Sequence, residues 1–402
     1  MPFTVRPLIA LALLVLTPPA AAAQATADDV FNDAVLHDIR LFVHPRDWAS
    51  LKANFQLDDY YPAHVVWNGR TLRNVAIRSR GFGSRSPVKP GLRIDFDRYD
   101  RTQTLVGLTS VVLRNNTQDP SSMHERLSMK VFAAVGIPAP RTAHARLFVN
   151  NEYAGLYLIV ESIDTPFLAR HFGESAGYLY KYDWVAPYYL EYRGPDPASY
   201  TPLPFTPETH VRDPDPAPLV EMIRTITEAP ADEFQARAGA VVDVPAFMRQ
   251  AAVENVLADN DGLIGYAGMN NFYLYRFQSR PFSTFVPWDK SEAFKGGPAF
   301  SILANIADAP EWARNRLMDR AMAVPELRDL YLDTLVRCAD LITADAWLET
   351  EILRVYEQIR QAALDDHVMP FSDEDFEQDV AQLLEFARSR GAFVRADVAR
   401  SR

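Results

Sequence analysis

Two periodicities divide this chain, and their order limits what it can fold into. Up to about residue 160 the apolar residues fall in short strand-like runs, of which 36–43 alternates with the period of a strand with one buried face. Beyond about residue 217 they recur every three or four positions, the period of a helix packed on one side. Strand-like runs fall at 36–43, 64–68, 72–78, 92–96 and 105–113, and Asn68-Gly69 between two of them is a hairpin signal. The early part therefore reads as mostly antiparallel sheet.

One helix interrupts the strands. Residues 123–135 carry apolar side chains at 123, 127, 131, 132 and 135, and Gly136 with Pro138 closes them. Strand-like runs at 145–149 and 155–161 follow, joined by a tight turn at Asn150. Segments near 217–229, 231–239, 245–259, 312–323, 325–342, 345–366 and 373–398 read as helices. Between them, residues 187–218 are rich in Pro, Tyr and Asp without a period, and read as an irregular surface excursion able to serve as a substrate or lid segment. A β-rich part followed by a helical part is an α+β chain.

The ends and the charge narrow the setting. Arg6, an apolar run over 8–16 and an Ala-rich stretch up to residue 23 have the form of a secretory signal peptide, cleaved near Ala23. The run is far short of the ~20 residues that span a bilayer, and no later stretch is long enough. The expected mature protein is thus secreted or periplasmic, without stable membrane insertion. Its length suits two domains or lobes, 24–165 and 166–402. A formal net charge of −11 argues against a protein that coats nucleic acid. The single cysteine, Cys338, lies at helical spacing among apolar residues, where a buried inert thiol is expected. The histidines show no paired ligand spacing, so no zinc site is expected, and no Gly-x-Ser-x-Gly elbow suggests a hydrolase.

The densest polar cluster runs from Glu254 through Asp259 and Asp261 to Asn270 and Asn271, with Phe285-Val-Pro-Trp-Asp289 after it. A helix ends in carboxylates, an Asn opens an aromatic strand, and a second strand delivers an Asp into a turn. Phosphoryl transfer needs little more: a carboxylate for the acceptor hydroxyl, and an Asn and an Asp to hold a hard cation on the phosphates. Asp and Asn also gather at helix ends and turns for local hydrogen bonding.

Three blocks weigh the balance toward chemistry. Asp261-Gly-Leu-Ile-Gly265, Asn271-Phe-Tyr-Leu-Tyr275 and Pro287-Trp-Asp289 with Phe294 resemble the pattern of the spore coat protein H (CotH) kinase-like family. Arg80-Gly-Phe-Gly-Ser84, the run from Lys89 to Phe96, Leu113-Arg-Asn115 with Asp119 and Ser122, and Gly155 to Glu161 with Asp164 and Phe167 are similar to its earlier blocks. Order is preserved from about residue 35 to 340.

The resemblance implies an atypical, two-lobed protein-kinase-like fold that transfers the ATP γ-phosphate to Ser or Thr of a protein substrate with Mg²⁺ or Mn²⁺. Carried over, Asp261 is the catalytic carboxylate, with Asp259 as its rival, and Asn271 and Asp289 are metal ligands. On the nucleotide side Lys89 is the first choice of cation, Arg93 and Arg80 are rivals, Glu125 is its carboxylate partner, and Glu161 belongs to the same region. The chain departs from ordinary kinases, with no Gly-x-Gly-x-x-Gly, His-Arg-Asp or Asp-Phe-Gly. Ser291 and Glu292 stand where a second acidic residue often follows Trp-Asp. A non-catalytic envelope or surface-assembly protein, or a nucleotidyl transferase, are the alternatives.

Overall fold

The structure, a computed structural model, describes Met1 and residues 25–402; apart from Met1, the expected signal peptide lies outside the described residues. In chain order the elements are α1 (Ala27–Val30), β1 (His37–Val43), α2 (Pro45–Ala53), β2 (Tyr61–Trp67), β3 (Arg70–Ser79), β4 (Leu92–Asp95), β5 (Ser110–Arg114) and α3 (His124–Ala134). There follow β6 (Thr142–Val149), β7 (Glu152–Glu161), α4 (Thr165–Phe172), β8 (Tyr178–Tyr182) and β9 (Phe205–Pro207). The remainder is α5 (Ala217–Glu228), α6 (Phe234–Val241), α7 (Val244–Val256), β10 (Phe272–Arg276), β11 (Ser283–Pro287), α8 (Arg316–Met322), α9 (Pro325–Thr343), α10 (Trp347–Leu364) and α11 (Asp373–Ser401). The chain is α+β, as its two periodicities require.

The first seven strands close into a barrel in the order β1-β2-β3-β4-β5-β7-β6. The hairpin at Asn68-Gly69 pairs Trp67 with Arg70, and both turn residues have positive φ, 47° and 73°, as a two-residue turn between twisted strands demands. Closure is the correction to a simple antiparallel sheet. It comes from a parallel seam in which Ile39 of β1 faces Leu147 of β6, a pairing that alternation along the chain cannot encode. Ile39, Leu41, Ile77, Leu113 and Ile159 fill the barrel. The strand expected over 105–113 begins only at Ser110, because Val106 and Gly107, with φ of 47° and 90°, turn the chain between Leu105 and Leu108.

A second sheet, ordered β11-β10-β8-β9, lies beside the barrel. Val112, Leu158 and Val160 point out of the barrel and pack with Phe167 of α4 and with Leu179, Tyr275 and Val286 of this sheet. The 187–218 segment is not a free surface excursion. Phe205–Pro207 forms its edge strand, and Tyr188, Leu190, Tyr200 and Phe205 are at most 1% exposed, so aromatic burial ties the segment down where periodicity gave no sign of order. The helices form a third packed body, to which α3 contributes Leu127, Val131 and Phe132. Among the described residues no helix is long and apolar enough to cross a membrane.

Buried charges tie the barrel to the helices. Lys89, 1% exposed, sends its ammonium to Asp366 just after α10 at 2.6 Å and to the Leu156 carbonyl of β7 at 2.9 Å. The Asp366 carboxylate also accepts the Leu156 N–H at 2.8 Å. Removing one partner strands a buried charge, which costs about 3–5 kcal/mol, whereas an apolar pair of similar volume is close to neutral. Lys89→Met should therefore lose about that much in urea denaturation, and Lys89→Met with Asp366→Leu should recover most of it. Equal losses in the single and double variants would contradict the pairing.

Candidate active site

A cleft of about 520 Å³ opens where the Arg78–Arg85 end of β3 and its turn face the ends of β10 and β11. Asp261, Asn271 and Asp289 all line it. The register of β10 with β11 brings them together, since Phe272 pairs with Pro287 and the Trp288 N–H donates to the Asn271 carbonyl at 3.1 Å. Asn271 and Asp289 both have positive φ, 56° and 50°. Asn and Asp tolerate that left-handed conformation better than most residues, and here it turns two strand ends into one wall.

The three side chains have distinct environments. Asn271 turns its amide nitrogen to the Asp261 carboxylate at 3.0 Å and the Asp261 carbonyl at 2.9 Å, while Asn270 donates to the other carboxylate oxygen at 3.1 Å. Burial pushes the Asp261 carboxyl up to about 6, the Asn270 bond opposes this, and the charges of Asp259 and Asp289 add to it. At Asp289 burial acts the same way, but the Arg114 guanidinium, 2.5 Å away, outweighs it and holds the carboxyl below its usual range. Arg114 also binds Glu125 of α3 at 2.7 Å. Burial pushes Glu125 up to about 7 against the pull of Arg114, with Asp289 adding to the rise.

Behind the cleft lies the group that orders it. Lys290, 0% exposed, extends its ammonium to Glu254 of α7 at 2.7 Å and to Asp259 at 2.9 Å. Asp259 accepts the Asp261 N–H at 3.0 Å with its second oxygen. The rival carboxylate is thus consumed in support, and Asp261 is the one that lines the cleft. Glu254 also accepts the Leu263 N–H at 2.7 Å, which draws the 259–263 turn so close that a Cβ on Gly262 would come within 2.6 Å of the Glu254 carboxyl carbon. That carboxylate is held by Lys290 and cannot step aside.

The nucleotide-side expectations separate sharply. Lys89 does not reach the cleft, because Asp366 and the Leu156 carbonyl hold its ammonium elsewhere. Nor is Glu125 its partner; Arg114 takes that place. Glu161 is bound by Arg141 and Arg170 and does not line the cleft. Arg93 lies on the cleft wall, tied to Asp95 at 2.6 Å and Ser110 at 3.1 Å. Arg80 is the available cation. It lines the cleft over the Trp288 ring at 5.2 Å and has no carboxylate within ion-pair distance among the described residues. Burial, with Arg114 beside it, brings its pKa down to about 10, so it stays charged at neutral pH.

Sequence reasoning missed Arg114 and Lys290 as working groups. Both had a signal: each adjoins a block already singled out, Leu113-Arg-Asn115 and Trp288-Asp289, and a cation beside buried apolar residues needs a carboxylate.

Comparison with known proteins bears on this arrangement. The family model described as CotH kinase protein matches residues 77–394. The chain belongs to the CotH kinase protein family. Inner spore coat protein H of Bacillus subtilis is similar to this CotH chain, 25% identical over 90% of it and 98% of the relative. An inner spore coat protein H-like protein of Bacillus subtilis is 26% identical over 25% of this chain and 34% of its own length. Among solved structures, the Helicobacter pylori proinflammatory kinase CtkA covers 86% of this chain and 97% of its own, at 10% identity and a TM-score of 0.31, too loose to place any residue. In this CotH member the Gly262 packing is a direct handle on the cleft. Gly262→Ala should cost about 1–3 kcal/mol, the range for overpacking a filled site, measured by urea denaturation. A neutral result would contradict a rigid Glu254–Lys290–Asp259 cluster.

Proposed function

We propose that this protein is a metal-dependent, kinase-like phosphotransferase with two working lobes, which moves the γ-phosphoryl group of ATP to a Ser or Thr hydroxyl of a protein outside the cytoplasm. The observation that carries the reading is the convergence of Asp261, Asn271, Asp289 and the unpaired Arg80 on one cleft. Membership of the CotH kinase protein family supports it.

The donor set fits a hard divalent cation. Asn271 commits its amide nitrogen to Asp261 and so keeps its carbonyl oxygen for a ligand, and Asp289 supplies carboxylate oxygens. Mg²⁺ or Mn²⁺ held there neutralises charge on the phosphates when bound. Asp261 orients the acceptor hydroxyl and takes its proton as that oxygen bonds to the γ-phosphorus and the bond to the β-phosphate oxygen breaks, leaving ADP. Arg80 holds the phosphate chain through charge-assisted hydrogen bonds. Arg114 keeps Asp289 ionised and fixes its side chain against α3.

The test is incubation of the protein, lacking residues 1–23, with Mn²⁺ or Mg²⁺ and ATP labelled at the γ or the α phosphate, with casein-type and self acceptors. Transfer of γ label is expected, reduced about 10²-fold or more in Asp261→Ala and abolished on metal chelation. Arg80→Ala should raise the KM for ATP about tenfold, the worth of one charged hydrogen bond. Transfer of α label would replace the reading with nucleotidyl transfer. No transfer and no ATP-dependent thermal shift with either metal would replace it with a non-catalytic assembly role.

A further inference from the structure

Three side chains outside the cleft are gathered as if around a charge. Asp119 precedes α3, His124 is its first residue, and Asp379 lies on α11. One ligand atom from each falls within 4.8 Å of the others. We propose that Asp119, His124 and Asp379 form a second divalent-metal site of zinc type, with His124 Nε2 and one oxygen of each carboxylate as ligands. The spacing rules of the sequence missed it because its ligands come from one short segment and a helix more than 250 residues away.

The tautomer is set by chemistry. His124 Nδ1 lies 3.1 Å from the Ser291 carbonyl, which can only accept, so Nδ1 carries a proton and Nε2 faces the carboxylates. Nε2 is 3.0 Å from Asp379 and 3.7 Å from Asp119, yet makes no well-angled hydrogen bond to either. Ligands about 2.1 Å from a tetrahedral ion lie about 3.4 Å apart, and the two observed separations bracket that value. The outer shell is also in place. Ser121 Oγ donates to Asp119 at 2.9 Å, the Ser121 N–H donates to Asp379 at 3.0 Å and the His124 N–H donates to Asp119 at 2.7 Å. Asp379, with 14% of its side chain exposed, leaves a path for water to a fourth position.

A divalent ion with neutral imidazole and two carboxylates leaves no net buried charge. An ion there would clamp the start of α3, α11 and, through Ser291, the turn that carries Asp289.

The test uses no nucleotide, so its failure is distinct from failure of the proposed activity. Chelator-stripped protein, with Asp289→Ala as a background that removes a cleft ligand, is titrated with Zn²⁺, Mn²⁺ and Co²⁺. Retained metal, thermal midpoint and Co²⁺ absorption are measured. One tightly held equivalent, a rise in Tm and tetrahedral cobalt bands are expected, with affinity lowered about tenfold or more in His124→Ala and in Asp379→Asn. If His124→Ala fails to fold, Asp379→Asn decides alone. No retained ion, unchanged affinity in these variants, or a doubly protonated His124 ring by ¹⁵N NMR in zinc-saturated protein would overturn the site.

Discussion

The cleft depends on one buried ammonium. Lys290 lies between Glu254 and Asp259 with all three groups almost fully enclosed. Taking such ions out of water costs several kcal/mol each even after relaxation, so the cluster is a poor way to gain stability. What it provides is position. It binds the end of β11 to the end of α7, and the residues on either side of the clamp, Asp289 and Asp261, are left facing the cleft. Burial, with Asp259 adding to it, raises the Glu254 carboxyl against the pull of Lys290, so loss of the ammonium would leave two acids in one apolar site.

Other buried ions repeat the device at wider range. Arg114 carries the end of β5 to Asp289 and Glu125, and so couples a barrel strand and α3 to the cleft. Arg390 of α11, 0% exposed, donates to the Asn255 and Val256 carbonyls and so satisfies the buried C-terminal end of α7 that leads into the Asp259 turn. Lys89, before β4, is held by Asp366, just after α10. Apolar packing builds each body and also joins the barrel to the second sheet, and the buried ions add directional contacts where the bodies meet. Directional contacts suit that task, since an apolar face tolerates sliding and a bidentate guanidinium does not.

What was legible in the sequence follows the same division. Local signals held: Asn68-Gly69 makes its turn, Gly136 ends α3, alternation marks β1, and the strand-like runs overlap β2 to β4. Non-local pairings were invisible, including the β1–β6 seam and the strand Phe205–Pro207 inside a proline-rich run. At the site, Asp261, Asn271 and Asp289 share the cleft expected of them. Lys89 went astray because its fate is decided by Asp366, 277 residues later, and nothing near Lys89 announces that partner. Asp259 and Asp261 could not be told apart until Lys290 claimed one of them.

The central claim is that Asn271 and Asp289 hold a cation on a nucleotide in the cleft beside Arg80. The most direct measurement is an anomalous difference map at the manganese edge from crystals grown with Mn²⁺ and a non-hydrolysable ATP analogue. The account predicts a peak bonded to the Asn271 carbonyl oxygen and an Asp289 carboxylate oxygen, with phosphates reaching Arg80. A nucleotide seated elsewhere, such as the cavity of about 490 Å³ beside Arg126 and Pro138, with no manganese at Asp289, would contradict it.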